Sequence, residues 1–143
     1  MEIKTYEIPE DIEMLAVTAD KFPEGVKGAY EKLGRNVPDF GKRKMYGVAE
    51  QLNGGLLYRA CVNQQSPAEP EKFQVETYTI PKGTYLSLTL SDWQEHMDLF
   101  SKYFQELLQH PHTRKNSIGV EYYVSSKDVL LLVQQEKGME AGV

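Results

Sequence analysis

The stretch Thr5-Tyr6-Glu7-Ile8-Pro9 returns 72 residues later as Thr77-Tyr78-Thr79-Ile80-Pro81, with four of its five residues unchanged. The same offset carries Gly47-Val48 onto Gly119-Val120. One short match could arise by chance, but several matches in one register indicate duplication of a structural unit. The chain is therefore expected to contain two copies of one motif.

The offset also carries the apolar segment 56–62 onto 128–134, so the two copies align without a gap. Two copies are too few for an open solenoid, which favours two packed half-domains within a single domain of 143 residues. The repeat halves are placed at residues 1–66 and 67–136, with residues 137–143 as a loose tail.

Each half is predicted to run strand, helix, strand, strand, with a bend inside the first extended stretch. In the first half Pro9 marks that bend, because proline has no N–H to donate to a sheet. Asn53-Gly54-Gly55 is a strong hairpin signal. The predicted elements are strands at 3–8 and 13–18, a helix at 23–33 that stops at Gly34, and strands at 44–52 and 56–63.

The second half repeats this order after a linker at 64–72 that contains two prolines. Ser91-Asp92-Trp93-Gln94 has the spacing of a capping box, so a helix is expected to begin there and run to Gln109. Its predicted apolar stripe consists of Trp93, Met97, Phe100, Phe104, Leu107 and Leu108. The other elements are an extended stretch at 73–90, broken at 81–83, and strands at 118–125 and 129–135 with a turn near 126–128.

The composition is that of an ordinary globular protein, with 41% hydrophobic and 26% charged residues. The formal net charge of −5 argues against direct nucleic acid binding, which needs a basic surface. The basic run Lys42-Arg43-Lys44 is interpreted as a solvated loop. The sequence opens with no apolar signal region, and no apolar run approaches a membrane span, so a cytoplasmic protein is expected.

The residue types that commonly bind metals are sparse and poorly spaced. Cys61 is the only cysteine, which excludes an internal disulfide and favours a small core residue. His96 is predicted on the helix, while His110 and His112 flank a proline in the loop after it, which is typical of a turn. No nucleophile–base pair with recognisable spacing is present, so an enzymatic role is the less favoured interpretation.

The candidate binding site lies where the two modules are expected to meet, since a helix on one face of each sheet leaves the other faces to form a cleft. Strand alternation places Gly119, Glu121 and Tyr123 on that cleft face, opposite the apolar residues of the same strand. The offset makes Ala49, beside Gly47, the counterpart of Glu121. One half would offer a carboxylate and the other would offer space for a ligand. The alternative is a solvent-exposed face on which Glu121 is an ordinary surface residue.

Four segments resemble the landmarks of a known family: Met45-Tyr46-Gly47-Val48, Tyr58-Arg59-Ala60-Cys61-Val62, Thr79-Ile80-Pro81-Lys82-Gly83-Thr84-Tyr85 and Val120-Glu121-Tyr122-Tyr123. In their order and spacing, over nearly the whole chain, they resemble the GyrI-like, or AraC-type effector-binding, domain. The resemblance implies an α+β fold of two tandem strand-helix-strand-strand modules with pseudo-two-fold symmetry and antiparallel sheets around a central cleft. This agrees with the repeat.

The resemblance also implies a site. The family's cleft binds small, often cationic and aromatic molecules, and a glutamate in the late strand contacts the ligand, which corresponds here to Glu121. Aromatic side chains surround that glutamate, and the candidates are Tyr123, Tyr85 and Trp93, although such residues more often pack in the core or at its rim. Family members occur fused to DNA-binding domains in bacterial regulators of drug response. This chain is expected to be a stand-alone member.

Three functions follow as hypotheses. The first is binding of apolar or cationic drug-like molecules, with Glu121, Tyr123, Trp93, Tyr85, Gly47, Ala49 and Gly119 as the ligand-binding residues. The second is hydrolysis of electrophilic or strained-ring toxic compounds, with Glu121 as general acid or base. The third is inhibition of a topoisomerase through protein contact. No metal, cofactor or membrane partner is expected, and a protein partner or a homo-oligomer is left open.

Overall fold

The computed structural model describes residues 2–52 and 54–137, and within them three helices and eight strands. Two short 3-10 turns lie at Phe40–Lys42 and Trp93–Glu95. The predicted α+β class is confirmed. The elements in chain order are β1 (Lys4–Ile8), β2 (Ile12–Thr18), α1 (Val26–Asn36), β3 (Met45–Leu52), β4 (Gly55–Asn63), α2 (Glu69–Phe73), β5 (Glu76–Ile80), β6 (Gly83–Ser91), α3 (Leu99–Gln109), β7 (Gly119–Tyr123) and β8 (Asp128–Gln134).

The chain divides into two compact units that do not follow the boundaries of the sequence repeats. The central unit is built from residues 11–81, and the terminal unit from the residues up to 10 together with those from 82 onward. In the central unit the strands lie side by side as β3, β4, β2, β5, and in the terminal unit as β7, β8, β6, β1. Every pairing within a unit is antiparallel, as predicted.

The two units are alike because the repeats exchange their first strands. β1 belongs to the first repeat but pairs with β6 of the second, with Ile8 opposite Gly83. β5 belongs to the second repeat but pairs with β2 of the first, with Ile80 opposite Ile12. The duplicated Thr-Tyr-x-Ile-Pro stretch is the exchanged strand in both cases, and its proline ends the strand where the chain leaves for the other unit.

One helix packs on one face of the sheet in each unit. In the central unit α1 contributes Ala29 and Leu33 to a core with alternate residues of β2 and β4. In the terminal unit α3 contributes Leu107 to a core with alternate residues of β6 and β8. The buried sheet residues of the terminal core are Leu86, Leu88, Leu90, Val129, Leu131 and Val133. Within the described residues, no helix is both long enough and apolar enough to cross a membrane.

Three helix boundaries predicted from local signals are wrong. The first is the start of α1, which lies at Val26 and not at residue 23. Gly34 does not stop α1, which continues to Asn36, because Val37 donates its N–H to the Leu33 carbonyl and extends the turn. Ser91 does not cap α3. It is the last residue of β6, where it pairs with Asp128, so the cross-strand pairing overrides the capping-box spacing. The chain then turns through Asp92, whose φ is +54°, and α3 begins only at Leu99.

The segment between the halves is not an irregular linker, because it contains α2 and is fixed by a buried ion pair. Arg43 makes two hydrogen bonds to the Glu69 carboxylate, at 2.8 and 2.6 Å, and a third to Asp39 at 2.8 Å. Glu69 also accepts the N–H groups of Gln65 and Ser66. The prediction that Arg43 lies in a solvated loop is therefore wrong, since only 8% of its surface is exposed.

The gapless alignment of the repeats does not hold in the second hairpin. Ala49 pairs with Tyr58 in the central unit. A constant offset of 72 would pair Glu121 with Leu130, but Glu121 pairs with Leu131. The β7–β8 hairpin is therefore one residue longer than the gapless repeat predicts. Asn53, in the predicted first turn, and residues 138–143 of the predicted tail lie outside the described residues.

The Arg43–Glu69 pair predicts an acid-dependent loss of stability. The hydrogen bonds from Arg43 lower the pKa of Glu69 from 4.5 to about 2. A lowered carboxyl pKa stabilises the fold above pH 4.5, and this contribution is lost as the pH falls through about 2. Replacing Glu69 with Gln is expected to lower the free energy of unfolding at pH 7 by about 3 kcal/mol, since it leaves Arg43 buried without its main partner.

Urea unfolding of the wild type and the Glu69→Gln variant at pH 7 and near pH 2.5 checks this, with Glu71→Gln on the exposed side of the same helix as the matched control. The difference between wild type and Glu69→Gln should shrink at the lower pH. An equal difference at both pH values would contradict the assignment.

Candidate functional site

The strand β7 carries the predicted site residues, and its pairing with β8 shows which way they face. Gly119, Glu121 and Tyr123 lie opposite Val133, Leu131 and Val129. Directly paired residues project to the same side of a sheet, and these three β8 residues pack against α3. The predicted face assignment is therefore wrong, because Glu121 projects to the side that α3 covers and not to the side away from the helix.

Gly119 permits a close approach, as predicted, but the group that approaches belongs to this chain. A Cβ built on Gly119 would lie 3.2 Å from Cε1 of Phe104 on α3. The ring of Phe104 thus rests on the bare backbone of β7. The glycine allows α3 to pack close to the strand, and it helps to set the position of α3 relative to Glu121, two residues further on the same face.

Glu121 and Tyr123 form a hydrogen-bonded pair on this face. The Tyr123 hydroxyl donates to Oε1 of Glu121 at 2.8 Å, and both side chains are partly buried. Their spacing of two residues makes the contact possible, because alternate residues of a strand project side by side. The pair presents a carboxylate and a phenol at one place in a partly apolar environment, which is a polar site of the kind that orients small ligands.

Trp93 completes an aromatic group around this pair. Its ring lies edge-on to Tyr123 at a centroid distance of 5.0 Å and edge-on to Phe100 at 6.4 Å. Its Nε1–H donates to the Ser125 carbonyl at 3.3 Å. Trp93 was predicted on the helix, but it lies in the 3-10 turn before α3, from which it reaches Tyr123. Glu121, Tyr123 and Trp93 are therefore brought together.

The other predicted site residues lie elsewhere. Tyr85 immediately precedes Leu86, which packs against α3, so it projects to the opposite side of the sheet from Glu121 and is only 1% exposed. Gly47 and Ala49 lie on the α1-facing side of β3 in the central unit, paired with Ala60 and Tyr58. Their roles toward a ligand stay predictions.

A second aromatic group was missed in the sequence. On the α1 side of the central unit, the Tyr30 hydroxyl donates to the Tyr46 carbonyl and lies 2.9 Å from the Tyr58 hydroxyl. Phe22 stacks on Tyr58 at 5.6 Å and remains 43% exposed. Tyr58 was part of a family landmark, but only the pairing of Ala49 with Tyr58 shows that the phenol shares a face with the predicted site residues.

Cys61 and the two loop histidines make core and turn contacts. Cys61 is buried, and burial raises the pKa of its thiol to about 12, as expected for an inert core residue. His110 and His112 stack edge-on at 5.4 Å, and the His112 N–H donates to Nδ1 of His110, which is the predicted turn. Across residues 2–52 and 54–137, no group of three or more His, Cys, Asp or Glu side chains could hold a metal ion.

Adding a side chain should have opposite effects on stability at two glycines, because Gly119 contacts Phe104 and Gly28 has open space beside it. Gly119→Val should lower the free energy of unfolding by about 1–3 kcal/mol, because the new methyl groups overlap the Phe104 ring. Gly28→Ala on α1, where an added Cβ meets nothing within 4 Å, should raise it by roughly 0.5–1 kcal/mol through helix propensity. Thermal and urea unfolding measure both. A neutral Gly119→Val variant would show that α3 is not held in close contact with β7.

Comparison with known proteins supports the fold. No family model and no curated protein matches the chain. An integron cassette protein from the mobile metagenome of Vibrio cholerae is 18% identical with a TM-score of 0.65, covering 94% of this chain and 95% of that one. A hydrolase from Listeria innocua is 11% identical with a TM-score of 0.62, covering 94% of this chain and 92% of that one. SAV2435, solved with tetraphenylphosphonium bound, is 15% identical with a TM-score of 0.61, covering 98% and 96%. At identities this low, the likeness shows that the chain shares the fold of these proteins.

Proposed function

We propose that this protein binds small, apolar organic cations at Glu121, with Tyr123 and Trp93 forming the aromatic part of the site. The observation that carries the proposal is the Glu121 carboxylate, partly buried beside the α3-facing core, with the Tyr123 hydroxyl bonded to it at 2.8 Å and the Trp93 ring 5.0 Å from Tyr123. A carboxylate next to aromatic rings is a suitable environment for an organic cation.

The relative size of the two attractions indicates which residue dominates. Opposite unit charges about 4 Å apart near a protein surface attract each other by about 4 kcal/mol before desolvation is counted. A cation over an aromatic ring gains about 0.5–2 kcal/mol. We therefore expect Glu121 to set the preference for positive charge, while the rings of Tyr123 and Trp93 select flat or bulky apolar groups.

The comparisons support this proposal through one neighbour. SAV2435 shares the fold over 98% of this chain and was solved with tetraphenylphosphonium, an apolar organic cation. The same neighbour supports, at the level of the fold, our placement of the chain in the GyrI-like family. The other predicted ligand contacts are not part of this proposal, because Tyr85 is only 1% exposed, Phe104 packs on Gly119, and Gly47 and Ala49 belong to the central unit.

The test uses two ions of the same shape and opposite charge. Calorimetric titration should show binding of tetraphenylphosphonium and at least tenfold weaker binding of tetraphenylborate, because Glu121 attracts the cation and repels the anion. Glu121→Gln should weaken binding of the cation by about tenfold or more and remove the preference between the ions, since about 1.4 kcal/mol corresponds to a factor of ten.

Glu106→Gln on the exposed side of α3 is the matched control and should leave both affinities unchanged. Equal affinity of the two ions for the wild type, or unchanged cation binding in Glu121→Gln, would contradict the proposal.

A second candidate function is hydrolysis of small electrophilic or strained-ring compounds, which the Glu121–Tyr123 hydrogen bond favours. Glu121 would accept a proton from a water molecule while the oxygen of that water attacks the electrophilic carbon. The ring bond to that carbon would then break, and the Tyr123 hydroxyl would supply a proton to the leaving atom. A neighbour of the same fold is a hydrolase from Listeria innocua.

Tyr123→Phe separates the two functions. It keeps the ring and removes only the hydroxyl, so a binding protein should retain its affinity for the cation within about threefold. Turnover of an epoxide or cyclopropane panel should fall by roughly 10²–10⁴-fold if Tyr123 transfers a proton. Absence of turnover by the wild type across the panel would rule against the hydrolase.

A further inference from the structure

The segment between β6 and α3, residues 92–98, lies directly beside the proposed site, and we call it the latch segment. It carries Trp93, whose ring touches Tyr123 at 5.0 Å, and Tyr123 in turn bonds Glu121. The opposing turn of the β7–β8 hairpin, residues 124–127, is called the catch turn.

Three hydrogen bonds join the latch segment to the catch turn. The Trp93 backbone N–H donates to the Lys127 carbonyl at 3.2 Å, and the Trp93 indole N–H donates to the Ser125 carbonyl at 3.3 Å. The Gln94 side-chain amide donates to the Ser126 carbonyl at 3.3 Å. All three donors belong to the latch segment and all three acceptors are backbone carbonyls of consecutive catch residues. No side chain of the catch turn accepts any of these three bonds, so they depend on the backbone shape of the turn.

The catch turn holds its own shape. The Ser125 hydroxyl oxygen accepts the backbone N–H groups of Lys127 and Asp128, both at 3.1 Å. The backbone N–H groups of Val124 and Ser125 in turn donate to the Asp128 carbonyl. These bonds lie within the turn, so they orient the carbonyls at 125–127 without help from the latch segment. Ser125 is thus the one side chain of the turn on which the acceptor geometry depends.

The latch segment is held much less firmly. Every residue of it except Trp93 is exposed, and Met97 has 64% of its surface accessible. Asp92, at its start, has a φ of +54°, in the left-handed region that few residues other than Gly, Asn and Asp adopt. At its end, α3 begins without a side-chain cap. Segments with few buried contacts and exposed hydrogen bonds are those that open locally below the global unfolding free energy.

We propose that the latch segment gates the cation site: while its three hydrogen bonds to the catch turn are formed, Trp93 stays packed against Tyr123 beside Glu121, and the ligand enters and leaves when these bonds break. The proposal rests on the proposed function, because it regulates the same site. Gln94 acts as a positioning residue, while Trp93 is both part of the site and held in place by these bonds. The latch segment and the catch turn both belong to the second repeat. The catch turn lies in the hairpin that is one residue longer than the gapless repeat predicts.

The first arm of the test needs no ligand. Trp93 is the only tryptophan, so its indole N–H gives a single resonance. Gln94→Leu removes one bond of the joint, and Ser125→Ala releases the turn. Both should speed hydrogen exchange of the Trp93 backbone and indole N–H groups by about two- to fivefold, as expected for losing one exposed hydrogen bond. The Leu131 amide, inside the sheet, should be unchanged.

The second arm follows tetraphenylphosphonium association by stopped-flow fluorescence of Trp93. In Gln94→Leu and Ser125→Ala the association and dissociation rates should both rise about two- to fivefold, while the affinity stays within about twofold. Ser126→Ala is the matched control beside Ser125, because the latch segment uses only the Ser126 carbonyl. Gln105→Leu is the control for Gln94 on the exposed side of α3.

The two arms separate the outcomes. Unchanged exchange at Trp93 in both variants would overturn the gate whatever the ligand does. Faster exchange with unchanged ligand rates would also overturn it, while the binding site itself would stand. If tetraphenylphosphonium binds neither the wild type nor any variant, the proposed function fails and the gate fails with it. In that case the exchange data would still show whether the segment opens.

Discussion

The pairing of each repeat's first strand with the other repeat's sheet is the constraint on which the rest of the structure depends. β1 completes the terminal unit through β6, and β5 completes the central unit through β2. Because of this exchange, neither repeat contains all the strands of its own sheet. The terminal unit, which carries Glu121, needs the first ten residues of the chain although they lie more than a hundred residues from that glutamate.

Within the terminal unit, strand alternation combines with the position of α3 to make the site. Every second residue of β7 projects toward the helix, and this brings a glycine, a carboxylate and a phenol into one row. The Phe104 ring fills the space above the glycine, and the Trp93 ring packs edge-on against the phenol ring. The carboxylate at Glu121 can be accommodated beside an apolar core because the Tyr123 hydroxyl hydrogen-bonds to it.

The sequence was sufficient to predict most of the strands. It was insufficient to predict features that depend on contacts between residues far apart in the chain. Hydrophobic alternation and the turn signals placed β3 and β4 within a residue of their observed bounds. The helix start at Ser91 failed because that residue pairs with Asp128, which no local pattern reveals. Alternation showed that Glu121 and Tyr123 share a face, but it does not say which face the helix covers. The buried pair of Arg43 and Glu69, 26 residues apart, was hidden in a basic run.

The exchanged strands also bear on how such a chain could arise. Two identical copies of a single-repeat protein, each lending its first strand to the other's sheet, would make a symmetric swapped dimer. Joining the copies end to end would give the observed connectivity, with Thr-Tyr-x-Ile-Pro preserved in both lent strands. After such a fusion the two copies can take up different substitutions, so their sequences need no longer be identical. One copy could then gain a glutamate and a longer hairpin while the other has an alanine, Ala49, at the matching position.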